Sequence, residues 1–194
     1  MINKGFRNIV IASVLAAALV IAGTGCNKKL TETSATSDVA QTTLDPMSFA
    51  AIDARIRDYN FGINEYMREH SAEATQKKVS GTTFNGIAAE STYTISPDGK
   101  YESLQMEKTL ENAVQIDEYF NLGDAVFIAR TTVYNDGNFD PVEKFYIIDG
   151  SLYKIDGSAE AVTKIIDLND STAEDVKKNN DLYFSFDEIR AIYA

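Results

Sequence analysis

The sequence predicts an α+β fold with an N-terminal amphipathic helix, a curved antiparallel β-meander of about 6–8 strands and short C-terminal helices. Three observations lead to this prediction. Apolar residues recur at helical spacing after residue 45, the pattern then changes to alternation with period two, and short turn dipeptides separate the alternating segments. Because the connections between these segments are short, neighbouring strands are expected to be antiparallel.

The first helix is predicted to begin at Asp45, a favourable N-cap, with Pro46 at the first helical position. Its apolar residues share one face, while most charged residues fall elsewhere on the helical wheel. Gly62 is expected to weaken or kink the helix. His70 lies at its expected end, where a cation suits the helix dipole. The apolar positions are Phe49, Ile52, Ile56, Tyr59, Ile63, Tyr66 and Met67.

The middle of the chain contains alternating segments that predict strands. Pairs such as Asp98-Gly99 and Asp149-Gly150 separate many of them, and these pairs favour the positive φ that closes a hairpin. Residues 125–134 have apolar side chains at both odd and even positions, so both faces of this strand are expected to be buried, which predicts a central strand. The strand segments are residues 79–84, 87–95, 100–108, 113–120, 125–134, 144–148, 151–155 and 161–166.

Two capping boxes predict helices near the C-terminus. Ser171 stands three residues before Glu174, and Ser185 stands three residues before Glu188. The last helix is expected to pack its apolar residues onto the sheet.

The first 25 residues have the composition of a secretory signal peptide. Lys4 and Arg7 precede an apolar run over residues 9–22. This run is too short to cross a hydrocarbon core about 30 Å thick as a helix, which requires roughly 20 residues. Small residues follow the run, as they do before a cleavage site.

The small residues Gly23, Thr24 and Gly25 directly precede Cys26, the only cysteine of the chain. This pattern resembles the lipobox of bacterial lipoproteins, although that family usually has Leu where this chain has Gly23. The resemblance implies that Cys26 receives a diacylglyceryl group and that the signal peptide is cut before it. Two acyl chains are sufficient for stable attachment to a membrane. The alternative is an uncleaved helical anchor with a buried structural cysteine.

These features predict three segments. Residues 1–25 are the signal peptide, residues 26–44 are the lipidated cysteine and a flexible Ser/Thr-rich tether, and residues 45–194 are a single α+β domain. The expected location is the cell membrane, with the domain lipid-anchored on the extracytoplasmic side. The formal net charge of −11 disfavours binding to nucleic acid, which is therefore not an expected partner.

The composition excludes several kinds of catalytic site. Cys26 is expected to carry lipid, and His70 is the only histidine, so thiol catalysis, a Ser-His triad and a zinc site are not expected. No cofactor is expected either, because the chain has no Gly-rich phosphate loop. The acidic residues leave a carboxylate-dependent hydrolase as one alternative.

One loop resembles a calcium-binding pattern, because Asp136, Asn138 and Asp140 alternate as oxygen ligands would. Pro141 and Ile147 stand where an EF-hand requires Gly and Glu. The segment is therefore interpreted as a long hairpin loop, with a weak calcium site as the alternative.

The function predicted from the sequence is a non-catalytic binding or interaction domain for an unknown protein, a wall polymer or a small ligand. A second hypothesis is an envelope carrier of lipid or lipoprotein with an apolar cavity. Polar residues at Ser103, Gln105, Gln115 and Thr131 interrupt the apolar alternation that such a cavity requires. Strand tyrosines are expected to be sheet packing, or alternatively an aromatic lining: Tyr93, Tyr101, Tyr119, Tyr134, Tyr146 and Tyr153.

Overall fold

The computed structural model describes residues 45–70 and 72–193, and these residues form the predicted α+β fold. The lipobox residues Gly23, Thr24 and Gly25, the lipidation site Cys26 and the tether lie outside the described residues. No helix of the described part is long and apolar enough to cross a membrane.

Eight strands form one open antiparallel sheet in which each strand pairs with the next in sequence, so the predicted meander is confirmed. The largest difference is in the first strand, which covers residues 75–82 instead of 79–84. Its polar start pairs in register with β2, and backbone pairing requires no apolar alternation. The strands are β1 (Thr75–Thr82), β2 (Ala88–Ile95), β3 (Glu102–Thr109), β4 (Ala113–Asn121), β5 (Ala125–Tyr134), β6 (Glu143–Ile148), β7 (Ser151–Asp156) and β8 (Ala161–Asp167).

Helix α1 (Phe49–His70) begins three residues later than predicted, because Phe49 rather than Pro46 is its first helical residue. Ser48 is its N-cap, since the Oγ of Ser48 accepts a hydrogen bond from the N–H of Ala51 at 3.3 Å. Asp45 instead closes the preceding turn, where its Oδ1 accepts a hydrogen bond from the N–H of Met47 at 2.9 Å. The predicted cap was therefore placed one turn too early.

Gly62 does not end α1, which is continuous through this position. The glycine allows close contact with Tyr101, because a Cβ at this position would lie 2.5 Å from the Oη of Tyr101. The Tyr101 ring also packs against two tyrosines of α1, with centroid distances of 5.5 Å to Tyr59 and 5.4 Å to Tyr66.

The two C-terminal helices are α2 (Ala173–Asn180) and α3 (Phe186–Tyr193). The capping box predicted at Ser171 does not form, and Asp170 instead accepts hydrogen bonds from the N–H and Oγ1–H of Thr172. At α3 the Oγ of Ser185 accepts the N–H of Glu188 at 3.2 Å, as predicted. The Glu188 carboxylate accepts the N–H of Phe184 rather than that of Ser185, so the second box is shifted by one residue.

The sheet is covered on both faces, with α1 on one face and the α2–α3 segment on the other. β5 is central as predicted, because Phe127 packs in the α1 cluster and the adjacent Ile128 packs in the opposite cluster. The α1 cluster consists of Ile52, Ala125, Phe127, Ala129, Tyr146 and Ile155. The α3 side is larger and includes Leu104, Tyr119, Leu152, Leu182, Phe186 and Ile189.

Candidate functional site

A cleft of about 260 Å³ lies between α1 and strands β1–β4. This volume is just below the range of roughly 300–1,000 Å³ that is typical of pockets for drug-sized ligands, so a smaller molecule would fill it. We call it the α1 cleft. Its polar wall is formed by Asn60, Asn64, Gln76, Thr92, Thr94, Ser103, Gln105 and Glu118, and its carbon surface includes Ile63, Met67 and Phe120.

Strand register brings the polar wall together. Thr92, Gln105 and Glu118 are consecutive partners across β2, β3 and β4. Directly paired residues project from the same face of a sheet, so these side chains form one row. Thr94 and Ser103 are partners in the adjacent row.

Helix α1 forms the roof of the cleft. Its residues 60, 63, 64 and 67 line the cleft and share one helical face. Arg55 and Tyr59 fix the helix on the sheet. The Nη2 of Arg55 donates to the carbonyl oxygen of Leu122 at 2.9 Å, and the hydroxyl of Tyr59 donates to the carbonyl oxygen of Glu102 at 3.2 Å.

Glu118 and Gln105 are the unusual residues of the α1 cleft. Glu118 is only 4% exposed, and its Oε2 is buried without a hydrogen-bond partner in the described structure. The Nε2 of Gln105 is likewise buried without a partner among the described residues. Burial raises the pKa of Glu118 from its ordinary value of 4.5 to about 7. An unsatisfied buried polar group is costly, so both atoms favour an added partner in the cleft.

Glu118 differs from the other buried acids of the described residues. Glu102, Asp117 and Asp181 each have a cationic side-chain atom within 2.9 Å. Glu118 has no cationic partner within ion-pairing distance in the described part of the chain. Its carboxyl group is thus available to a ligand, whereas the other three are engaged in internal ion pairs.

One of these internal ion pairs attaches α3 to the sheet. The Glu102 carboxylate accepts hydrogen bonds from Nε of Arg190 at 2.8 Å and from Nη2 of Arg190 at 2.5 Å. The Tyr93 hydroxyl and the Asn121 amide donate to the same carboxylate. Burial alone would raise the pKa of Glu102, but these hydrogen bonds outweigh burial and lower it. The group is saturated and serves to position α3.

The predicted loop candidates lie outside the α1 cleft, in the β5–β6 connection. Asp136 accepts hydrogen bonds from the N–H and Nδ2 of Asn138, and Asp140 accepts one from the Tyr134 hydroxyl. Their side chains therefore stabilise a hairpin loop, which is how the sequence pattern of this segment was interpreted. The described residues contain no group of three or more His, Cys, Asp or Glu side chains that could hold a metal ion. The weak calcium site stays a prediction.

Most of the predicted strand tyrosines are packed in the sheet. Tyr93, Tyr101, Tyr119 and Tyr146 are buried, whereas Tyr134 is 39% exposed. None of the six tyrosines lines the α1 cleft as the structure describes it. Sheet packing therefore accounts for Tyr93, Tyr119 and Tyr146, whereas Tyr101 directly precedes β3 and packs against α1.

A larger and more open depression of about 1,050 Å³ lies at the β5–β8 end of the sheet. Its Arg130 is paired with Asp117, and its Lys154 is paired with Glu143 at 2.7 Å. No buried unpartnered atom of the described residues belongs to its wall. It is therefore a weaker candidate than the α1 cleft.

Comparisons with protein-family models, with curated proteins and with solved structures give no match to this chain. Function is therefore argued from the α1 cleft. Sequence reasoning identified Ser103 and Gln105 only as polar interruptions of a strand pattern, and it did not single out Glu118. Polar residues at regular positions on neighbouring predicted strands were the available signal.

Proposed function

We propose that this chain is a membrane-anchored extracytoplasmic lipoprotein whose domain, residues 45–194, binds a small molecule in the α1 cleft without catalysing a reaction. The observation that carries the binding proposal is the burial of two unpartnered polar atoms, Oε2 of Glu118 and Nε2 of Gln105, in the wall of one cleft. A ligand that hydrogen-bonds to both atoms would remove the cost of leaving them unsatisfied.

The anchor proposal is supported by the order of basic residues, apolar run, small residues and Cys26. Metabolic labelling with a palmitate analogue tests it in a bacterial host. We expect the full chain to be labelled and recovered with membranes, and Cys26→Ser to lose both properties. Equal labelling of the Cys26→Ser variant would contradict a lipid anchor at this residue.

The cleft fits this proposal better than the two alternatives. A lipid carrier requires an apolar cavity, and an acyl chain in the α1 cleft would leave Glu118 and Gln105 without partners. A carboxylate-dependent hydrolase commonly requires two carboxyl groups across the bond that is cleaved. Glu118 is the single carboxyl group in the described wall of the cleft.

Native mass spectrometry of the full chain in detergent, followed by denaturing mass spectrometry, tests small-molecule binding. We expect an extra mass that disappears on denaturation. Ser103→Phe, which fills the cleft, should abolish the extra mass, whereas Ser80→Phe at an exposed position of β1 should retain it. Loss of the extra mass in both variants, or in neither, would argue against binding in the α1 cleft.

A further inference from the structure

We infer that the ligand of the α1 cleft is a neutral polyhydroxylated molecule the size of a single sugar unit, held by Glu118 and Gln105. This inference rests on the proposed function, since it names the class of the ligand for the same site. Three properties of the wall support it: its charge, its hydrogen-bonding capacity and its size.

The charge of the wall disfavours anionic ligands. No Lys, Arg or His belongs to the described wall, and Glu118 is its one ionisable group. The α1 residues that face the cleft, at positions 60, 63, 64 and 67, are all uncharged. A phosphate or carboxylate would therefore enter without a cationic partner and next to a buried acid, which is costly.

The hydrogen-bonding capacity disfavours a simple amine. Nε2 of Gln105 requires an acceptor, and the ionised carboxylate of Glu118 requires a donor. An ammonium group has donors but no acceptor, so it would satisfy Glu118 and leave Gln105 unpaired. A hydroxyl group both donates and accepts, and two neighbouring hydroxyls can satisfy both side chains at once.

The remainder of the wall also suits a polyhydroxylated ligand. The amides and hydroxyls of Asn60, Asn64, Gln76, Thr92, Thr94 and Ser103 can each donate and accept hydrogen bonds. Phe120, Ile63 and Met67 supply carbon surface for the C–H faces of a sugar ring. The volume of about 260 Å³ limits the buried part of the ligand to a small molecule.

Ligand-observed NMR on the full chain in detergent tests the inference. The probes are a panel of neutral hexoses, pentoses and N-acetylhexosamines at millimolar concentration, with butylamine and acetate as charged probes. We expect at least one neutral sugar to bind, and neither charged probe to compete with it. Binding should be absent in Ser103→Phe.

Two substitutions separate the roles of the binding residues. Gln105→Met removes the unpaired amide and is expected to weaken sugar binding by about ten-fold or more. The matched control is Gln115→Met on β4, whose side chain projects toward the opposite face and should leave binding unchanged. Glu118→Gln keeps donor and acceptor capacity, so it should change sugar binding by only a few-fold.

The outcomes distinguish this inference from the proposed function. Preferential binding of butylamine that is lost in Glu118→Gln would overturn the inference and leave small-molecule binding in the cleft intact. Binding of acetate would have the same consequence. If no probe binds and native mass spectrometry shows no extra mass, the cleft holds water alone and both proposals fail.

Discussion

The Nζ of Lys108 lies 2.7 Å from Oδ2 of Asp117, and neither side chain is exposed to solvent. The same Asp117 accepts two hydrogen bonds from Arg130, at 2.7 Å and 2.8 Å. Lys108 also lies 2.9 Å from Oδ2 of Asp181 and donates to its carbonyl oxygen. Asp181 is the C-cap of α2. Two cations, Lys108 and Arg130, and two acids, Asp117 and Asp181, therefore attach the C-terminal segment to the sheet, and their charges balance.

Asp117→Asn should be strongly destabilising. It leaves Lys108 and Arg130 buried with one acidic partner in place of two, and breaking a buried ion pair costs about 3–5 kcal/mol. We expect the free energy of unfolding to fall by about 3 kcal/mol or more. Urea unfolding monitored by circular dichroism measures this change.

The matched control is Glu143→Gln. Glu143 and Lys154 are also 2.7 Å apart, but their side chains are 42% and 50% exposed. We expect this substitution to cost less than about 1 kcal/mol, because exposed ion pairs contribute little. Similar losses in the two variants would show that burial does not determine the contribution of the Lys108–Asp117 pair.

Glu118 predicts a pH dependence of stability. Its pKa is raised to about 7 in the folded protein, so between about pH 4.5 and pH 7 the folded state holds a proton that the unfolded state has released. Stability must therefore fall as pH rises through this window and level off above it. The change is on the order of 3 kcal/mol. Urea unfolding across the window measures it in the ligand-free protein.

Glu118→Gln should remove this slope, because the amide does not titrate in the window. Glu111→Gln serves as the control, since Glu111 is exposed in the β3–β4 connection. A slope that persists unchanged in Glu118→Gln would mean that another group is responsible.

Gly62→Ala should destabilise the protein despite the higher helix propensity of Ala. The new Cβ would lie 2.5 Å from the Oη of Tyr101, so the helix or the ring must move. We expect a loss of about 1–2 kcal/mol, as is typical of overpacking. Thermal or urea unfolding measures it.

A double-mutant cycle with Tyr101→Phe tests this cause. In the Tyr101→Phe background the clashing oxygen is gone, and Gly62→Ala should stabilise the protein by up to about 1 kcal/mol through helix propensity. Additive effects of the two substitutions would contradict a steric origin.

Arg190→Lys should loosen α3. The two hydrogen bonds from Arg190 to Glu102 match the planar guanidinium, and an ammonium group cannot reproduce both. Because Arg190 is 43% exposed, we expect a loss of only about 1 kcal/mol. Hydrogen exchange should become faster in residues 186–193.

Arg57→Lys is the control for this substitution. Arg57 is 65% exposed and pairs with Asp53 within α1, so exchange in residues 49–70 should be nearly unchanged. If residues 186–193 exchange no faster in Arg190→Lys than in Arg57→Lys, the bidentate contact does not anchor α3.

Local sequence patterns were sufficient to predict which helices and strands the domain contains. The alternation of period two and the Gly-containing turns predicted every strand, because hairpins are specified by residues close in sequence. The predicted helix starts were less accurate. Ser48 and Asp45 are both good caps, and which of them caps α1 depends on where the helix contacts the sheet.

The sequence by itself therefore determined the order of helices and strands, the antiparallel meander and the centrality of β5. The tertiary structure alone decided which polar residues meet in the α1 cleft and which charges are buried. Gln105 and Glu118 are adjacent because of the β3–β4 register, and Asn60 joins them because α1 crosses the sheet above them. Lys108 meets Asp117 across the β3–β4 hairpin, and it meets Asp181 of the C-terminal segment from 73 residues away in the sequence. Whether a polar side chain is buried or paired depends on such contacts in the folded domain. Secondary-structure propensity and hydrophobic periodicity reflect only residues that are close in the sequence.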